Sequence, residues 1–250
     1  MDASGVPGDG ARHKRWLPLE ANPEVLNRFM AAIGVKPETG LAFCDVYGLD
    51  PELLGMVPAP VRALLLLFPI SEATEKAREE EAAAIERDGQ EVSADVWYTK
   101  QTIGNACGTI GVLHALANNR ARLSVEGGSF LDRFLEATAP MSPAEKAAFL
   151  EDPPAGAPDI ESTHSGAATE GQSRPPTLEE SVFLHFVCLV PVAGTLYELD
   201  GRKASAINHG PTGDETFLND AVGVVRKFFA QGDGNIQFNL IALAGKQEMW

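Results

Sequence analysis

Cys107 stands in the stretch Lys-Gln-Thr-Ile-Gly-Asn-Ala-Cys-Gly-Thr-Ile-Gly-Val-Leu-His-Ala-Leu-Ala-Asn-Asn, residues 100 to 119. From Ala106 to Ala117 only Thr109 and His114 are strongly polar, so a helix here is apolar on nearly every side and belongs in the middle of a domain. Asn105 is expected as its N-cap, and Gly104 and Gly108 let the backbone come close to whatever occupies the helix entrance. A cysteine in the first turn, beside unpaired N–H groups and the positive end of the helix dipole, is drawn toward the thiolate, its nucleophilic form. An inert buried side chain is the competing reading of a lone cysteine in an apolar run. The nucleophilic reading requires a base, a group that orients the base, and donors for an oxyanion elsewhere in the chain.

The chain has five histidines from which a base could come. His13 falls in a Gly- and Asp-rich tail and His164 in a long loop, while His114 is seven residues along the same helix, about 10 Å up its axis and out of reach. His185 and His209 remain. His185 lies in an apolar strand, Val182 to Pro191, that returns through Ala193-Gly194 into a second strand, Thr195 to Asp200. With the turn centred on that pair, Val187 stands opposite Asp200, and alternation puts Asp200 on the face that His185 shares with Phe183, Val187 and Leu189. A loop one residue longer would turn Asp200 away, so the inference depends on register. Cys188 has the opposite parity. His209, in Asn-His-Gly, reads as a turn residue without a carboxylate partner and ranks second.

The elements that must hold these groups follow from pattern. Asn22-Pro23 starts a helix whose apolar face is Val25, Leu26, Phe29 and Ile33, closed by Gly34. Leu41 to Tyr47 reads as a strand, and the nearly continuous apolar run Val61 to Phe68 as a central strand covered on both faces. Ser71 caps a helix to about Arg87, charged nearly all round and read as a solvated outer helix. Ser129 to about Ala137 is amphipathic, and Ser142-Pro143-Ala144-Glu145 opens another helix with a capping box. From Asp152 to about Leu178, between Pro153-Pro154 and Pro175-Pro176, no periodicity is visible, and a loop of that length is functional or a linker. Asp214 to Gln231 is an amphipathic helix on Phe217, Leu218, Ala221, Val222, Val225 and Phe229, and Ile236, Phe238, Leu240 and Ala242 alternate as a last strand. The expected fold class is α+β, a central sheet flanked by helices in α/β/α layers.

A length of 250 residues suits one well-buried domain or two small ones. A net charge of −15 argues against nucleic acid and anionic membranes and suits a basic partner. Three cysteines in reducing-type contexts, no apolar span and no signal-type segment lead to the expectation of a soluble cytoplasmic protein, with the nucleus also open to it. No metal or nucleotide motif is present, so no cofactor is expected.

The stretches RWLPLEANPEVLNRF, DVYGLDPELLGMVP, LLLLFPI, KQTIGNACGTIGVLHALANN, LHFVCLV, LYELDGRK, INHG and FNLIAL run from Arg15 to Ala244 with near-constant spacing and resemble the small single-domain ubiquitin carboxyl-terminal hydrolases. The resemblance implies a papain-like cysteine-protease core with a knotted backbone, a catalytic domain over 15–244 with tails at 1–14 and 245–250, and a Cys107-His185-Asp200 triad. It also implies Gln101, six residues before the cysteine, as oxyanion donor, a role that elimination among the residues did not reach. Region 152 to 178 corresponds to the loop that crosses the family's active site, and Glu20, Glu24 and Asp45 resemble positions where relatives meet ubiquitin. The implied activity is hydrolysis after the C-terminal glycine of ubiquitin by a monomer, releasing small or unfolded adducts. The alternatives are a preference for a related modifier such as NEDD8, or a non-catalytic ubiquitin-binding protein, which would not need all four catalytic-type residues.

Overall fold

The computed structural model describes residues 14–172, 177, 180, 182–232 and 237–246. Residues 1–13 of the tail expected over 1–14, the Pro175-Pro176 pair, Leu178, Ile236 and residues 247–250 lie outside the described residues, while Lys14 is held to the domain, its carbonyl accepting the Gly104 N–H at 2.9 Å. The strands are β1 (Leu41–Asp45), β2 (Val61–Pro69), β3 (Leu184–Val192), β4 (Thr195–Leu199), β5 (Ile207–Pro211) and β6 (Asn239–Gly245). They pair antiparallel throughout in one sheet of order β1-β6-β2-β3-β4-β5. The helices are α1 (Pro23–Ala32), α2 (Pro51–Leu54), α3 (Glu72–Asp88), α4 (Cys107–Ala117), α5 (Phe130–Thr138), α6 (Pro143–Glu151), α7 (Glu161–Thr169) and α8 (Phe217–Gln231).

The sheet is the middle layer of three, as the interleaving of patterns predicts. Residues of α1, α4, α5, α6 and α7 share one apolar core with Ala63, Leu65, Phe186, Cys188 and Val190, on one side of the sheet. Leu64, Leu66, Phe68, Val187 and Leu189 face the other side and pack with α8 and Leu54 of α2. Burial on both faces is why β2 reads as an unbroken apolar run without alternation. Helix α4 is buried at ten of its eleven residues, the position its all-round apolarity requires. Helices α1, α3, α5 and α6 begin at the side-chain caps Asn22, Ser71, Ser129 and Ser142. Each such cap contributes about 1 kcal/mol.

Four expectations are corrected. Asn105 does not cap α4: Ala106 holds the cap position without a side-chain bond, while Asn105 takes left-handed backbone at φ 61° and donates its amide to the Trp16 carbonyl at 3.2 Å. Asn tolerates that conformation, so its presence marks a sharp entry turn. The stretch after Asp152 is not structureless, for it contains α7, whose inward side is Ile160, His164, Ala167 and Ala168. Only one of those four is strongly apolar, which hides the helical period. The C-terminal tail begins later than expected, because Gly245 pairs with Leu41 and the Lys246 N–H donates to the Gly40 carbonyl at 2.8 Å. Phe229 is exposed and Val224 takes its place on the buried face of α8.

Two of the dismissed histidines are core residues. His164 is fully buried, its Nδ1 2.7 Å from the Thr109 hydroxyl and its Nε2 2.8 Å from the Leu17 carbonyl. The carbonyl can only accept, so Nε2 carries the proton. His114 is equally buried, stacked on Tyr98 with its Nε2 3.1 Å from the Thr99 carbonyl. Burial pushes both down to about 4. The native state therefore keeps both neutral while the unfolded chain takes up protons near the ordinary value, about 6.5. The stability they allow is present above that pH and is lost as pH falls from about 6.5 to about 4. The ring resonances of both histidines should hold neutral-imidazole shifts at pH 5 in an NMR titration, and the urea midpoint should drop between pH 7 and 5. A titration of either ring near pH 6.5 in folded protein would contradict this assignment.

Candidate active site

The site forms where the first turn of α4 meets the start of β3. The β3–β4 turn is the two-residue one expected, with Ala193 at φ 49° and Gly194 at φ 78°, the left-handed pair of a type I′ turn. Val192 pairs with Thr195 and Cys188 with Leu199, a register whose continuation sets Asp200 opposite Val187. The expected pair follows: the His185 Nε2 donates to Asp200 Oδ1 at 2.7 Å, with both residues at most 3% exposed. Asp200 also accepts the Arg202 N–H at 2.8 Å, and Phe68 presents its ring edge-on to His185 at 5.8 Å.

Cys107 is the third member. Its sulfur lies beside the His185 side chain and the backbone N–H groups of Phe186 and Gly108, all of which favour its charged form. Since Nε2 is committed to Asp200, the ring nitrogen left for the sulfur is Nδ1. Burial opposes the thiolate, but the hydrogen bond and charge of His185 and the two N–H groups outweigh it and hold Cys107 below the usual thiol value. Burial likewise opposes the imidazolium, yet the Asp200 charge and hydrogen bond, with those of Cys107, raise His185 to about 9. Asp200 is held below the carboxylate range by His185 in spite of its own burial. Both shifts run in the direction that favours an ion pair, thiolate beside imidazolium, over the neutral pair. The other cysteines are opposite in character, for burial pushes up both Cys188 in β3 and Cys44 in β1.

Gln101 lies on the segment before α4, where its backbone N–H donates to the carbonyl of Gly201, the residue after Asp200, at 2.9 Å. Its Nε2 donates to the Ile103 carbonyl at 3.1 Å, which fixes the plane of the amide and leaves the second N–H of that nitrogen uncommitted. A mostly apolar cleft opens beside Cys107, walled by Leu19, Leu67, Leu184, Phe186 and Phe238, with Glu20 at its side. Of the acids singled out from the sequence, only Glu20 lines that cleft. Glu24 lies in the first turn of α1, 4.0 Å from Arg28, and Asp45 ends β1 with its carboxyl raised by partial burial.

His209 is a strand residue of β5 with a carboxylate partner, contrary to the turn reading: its Nε2 lies 2.9 Å from Glu198 Oε2. The partner is on the neighbouring strand, so no spacing along the chain announces it. Glu198 is 1% exposed and is held ionised, despite burial, by Lys203 and His209. Helix α3 is an outer helix as expected, but it has a role beyond solvation: Glu75 pairs with Arg202 at 2.6 Å and Glu81 with Lys203. These two carboxylates tie down the turn that follows Asp200.

A buried imidazole–carboxylate pair beside a helix-entrance thiol has the chemistry of a thiol hydrolase. Residues 16–230 match the family "Ubiquitin carboxyl-terminal hydrolase, family 1", and the chain belongs to it, a family of deubiquitinating cysteine proteases. The chain is 46% identical over 238 residues to ubiquitin carboxyl-terminal hydrolase 3 of Arabidopsis thaliana, covering 94% of this chain and 97% of that one. It is 44% identical over 226 residues to isozyme L1 of Homo sapiens, covering 90% and 96%. The fold is similar to the Trichinella spiralis UCH37 catalytic domain solved with ubiquitin vinyl methyl ester bound, at a TM-score of 0.70 and 20% identity, covering 96% of this chain and 99% of that one.

The ion pair has a direct chemical consequence. Iodoacetamide should alkylate Cys107 in the folded protein at pH 6, ahead of Cys44 and Cys188, and His185→Ala should slow that reaction about a hundredfold by returning the thiol toward its ordinary pKa. Peptide mapping reads both effects; equal labelling of the three cysteines would contradict the assignment.

Proposed function

We propose that this chain hydrolyses the bond that follows the C-terminal glycine of ubiquitin, with Cys107 as nucleophile, His185 as base and acid, Asp200 as the group that orients His185, and Gln101 as oxyanion donor. The observation that carries the reading is the buried His185–Asp200 hydrogen bond beside the Cys107 thiol at the entrance of α4, with all three residues desolvated. The thiolate attacks the glycine carbonyl carbon, and the carbonyl π electrons move to oxygen. The second N–H of Gln101 Nε2 and the Cys107 N–H then hold the oxyanion. Collapse of the tetrahedral species expels the amine, which takes its proton from His185 Nδ1. A water molecule, deprotonated by the same nitrogen, cleaves the thioester and restores the thiolate.

The apolar cleft suits an extended peptide tail, and Glu20 at its side suits basic residues on that tail. A net charge of −15 favours a basic partner and acts mainly on the association rate. In the segment that follows Asp152, residues 170 and 171 lie at the same end of the molecule as Glu20. There Glu170 pairs with Arg28 of α1 at 2.8 Å, and Gly171 lies so close to the Glu20 carboxylate that a Cβ there would collide with it. We infer that this segment limits the size of the leaving group.

Ubiquitin vinyl methyl ester should form one adduct, at Cys107, located by mass spectrometry, and a NEDD8 probe should react more slowly; no adduct, or one at Cys44 or Cys188, would refute the mechanism. Cys107→Ser should abolish turnover of a fluorogenic ubiquitin adduct while keeping ubiquitin affinity. Asp200→Asn should lower kcat more than it raises KM. Gln101→Ala should lower kcat by about 10²–10³, and His209→Ala should retain most activity while losing stability, because it removes one partner of buried Glu198.

The size limit is tested separately. Gly and Ser residues inserted beside exposed Gly156 lengthen the segment without entering α7. The entropic cost is small, about 0.6 kcal/mol per doubling of loop length. Cleavage of di-ubiquitin should rise relative to that of the small adduct; an unchanged ratio in folded protein would mean that leaving-group size is set elsewhere.

A further inference from the structure

Gly201 follows Asp200 in the turn after β4, and its surroundings are crowded on the side where a side chain would project. Its carbonyl accepts the Gln101 N–H at 2.9 Å, and a Cβ on it would stand 2.8 Å from the Gln101 Cβ, 3.0 Å from the Gln101 nitrogen and 3.2 Å from Ile110 Cγ2. The backbone of Gly201 is not left-handed, so conformational freedom does not explain a glycine here; close approach does. The turn cannot easily yield. The Arg202 N–H is bound to Asp200 Oδ1, the Lys203 N–H to the Asp200 carbonyl at 2.9 Å, and the Tyr98 hydroxyl lies 2.7 Å from the carbonyls of both Asp200 and Lys203. From outside, Arg202 and Lys203 are clamped by Glu75 and Glu81 of α3.

We propose that Gly201 is a positioning residue for the reaction: by lacking a side chain it lets the residue 101 peptide seat against the same rigid turn that carries Asp200, so one turn sets both the oxyanion donor and the group that orients the base. This rests on the role given to Gln101 above. A Cβ at position 201 displaces residue 101 by a few tenths of an ångström, because the turn is held and Ile110 blocks the alternative direction. The amide of Gln101 then meets the oxyanion poorly, while the hydrogen bond between His185 and Asp200 is untouched.

The test is a double-mutant cycle in the full-length protein, using the fluorogenic ubiquitin adduct. Gly201→Ala should lower kcat roughly tenfold, since a misplacement of about 1 Å costs about a hundredfold. KM, and the pH dependence of Cys107 alkylation, should stay as in the parent. In a Gln101→Ala background, where the amide is already gone, the same change should cost less than twofold. A full tenfold loss in that background, or an altered alkylation profile, would overturn the proposal by placing the effect on the thiol and its base. If Gln101→Ala alone costs nothing, the role of Gln101 itself fails; if it costs and Gly201→Ala does not, only the present inference fails. Should Gly201→Ala not fold, amide exchange in the parent protein decides: the Gln101 N–H must exchange as slowly as the N–H groups in the middle of α4, and fast exchange would refute a rigid seat.

Discussion

A two-residue turn, Ala193-Gly194, aligns β3 and β4 so that Val192 faces Thr195, and the chemistry of the site depends on that register. Side chains alternate along a strand, so a slip of one residue would carry Asp200 to the opposite face from His185 and leave two buried charges unpaired. The register also determines where Cys107 can be met. Strand β3 runs beneath α4, and its first residues present an imidazole and a backbone N–H to the helix entrance together. Burial of the imidazole–carboxylate pair then makes the interaction strong, because water no longer screens it.

Beyond Asp200 the charges continue from buried Glu198 outward to α3 in an order that follows the same logic. Glu198, two residues earlier on β4, points with Lys203 and His209 into a buried cluster, and Lys203 is bound in turn by Glu81 of α3. Each carboxylate in this row has a cation or a backbone N–H, so none carries the full cost of desolvation. Helix α3 is solvent-facing over most of its surface, yet its Glu75 and Glu81 bind the turn 200–203 to the rest of the domain. The acidic balance of the chain thus has an internal structural part as well as a surface part.

Much of this was legible in the residues. The apolar run of α4 put Cys107 at the entrance of a buried helix, and alternation across a turn centred on Ala193-Gly194 paired His185 with Asp200 before any resemblance was used, on a register that one more loop residue would have reversed. What escaped did so for physical reasons. The pairing of His209 with Glu198 spans two strands whose register no turn of fixed length announces. Helix α7 has an inward face of Ile, His, Ala and Ala, too weakly apolar for its period to stand out. Gln101 stands in no local pattern, and the Gly201 carbonyl that binds its backbone N–H lies a hundred residues away along the chain. Asn105 fits both a cap and a left-handed turn, and only the path of the preceding chain past Trp16 decides between them.

The proposed chemistry requires Cys107 and His185 to rest as thiolate and imidazolium. The most direct measurement is the ¹⁵N spectrum of the His185 ring in the free protein at pH 7.5, compared with that of Cys107→Ala. Protons are expected on both ring nitrogens in the parent, persisting until the pH approaches about 9, together with a Cys107 ¹³Cβ shift characteristic of a thiolate. A neutral imidazole ring beside a protonated thiol at that pH would contradict it.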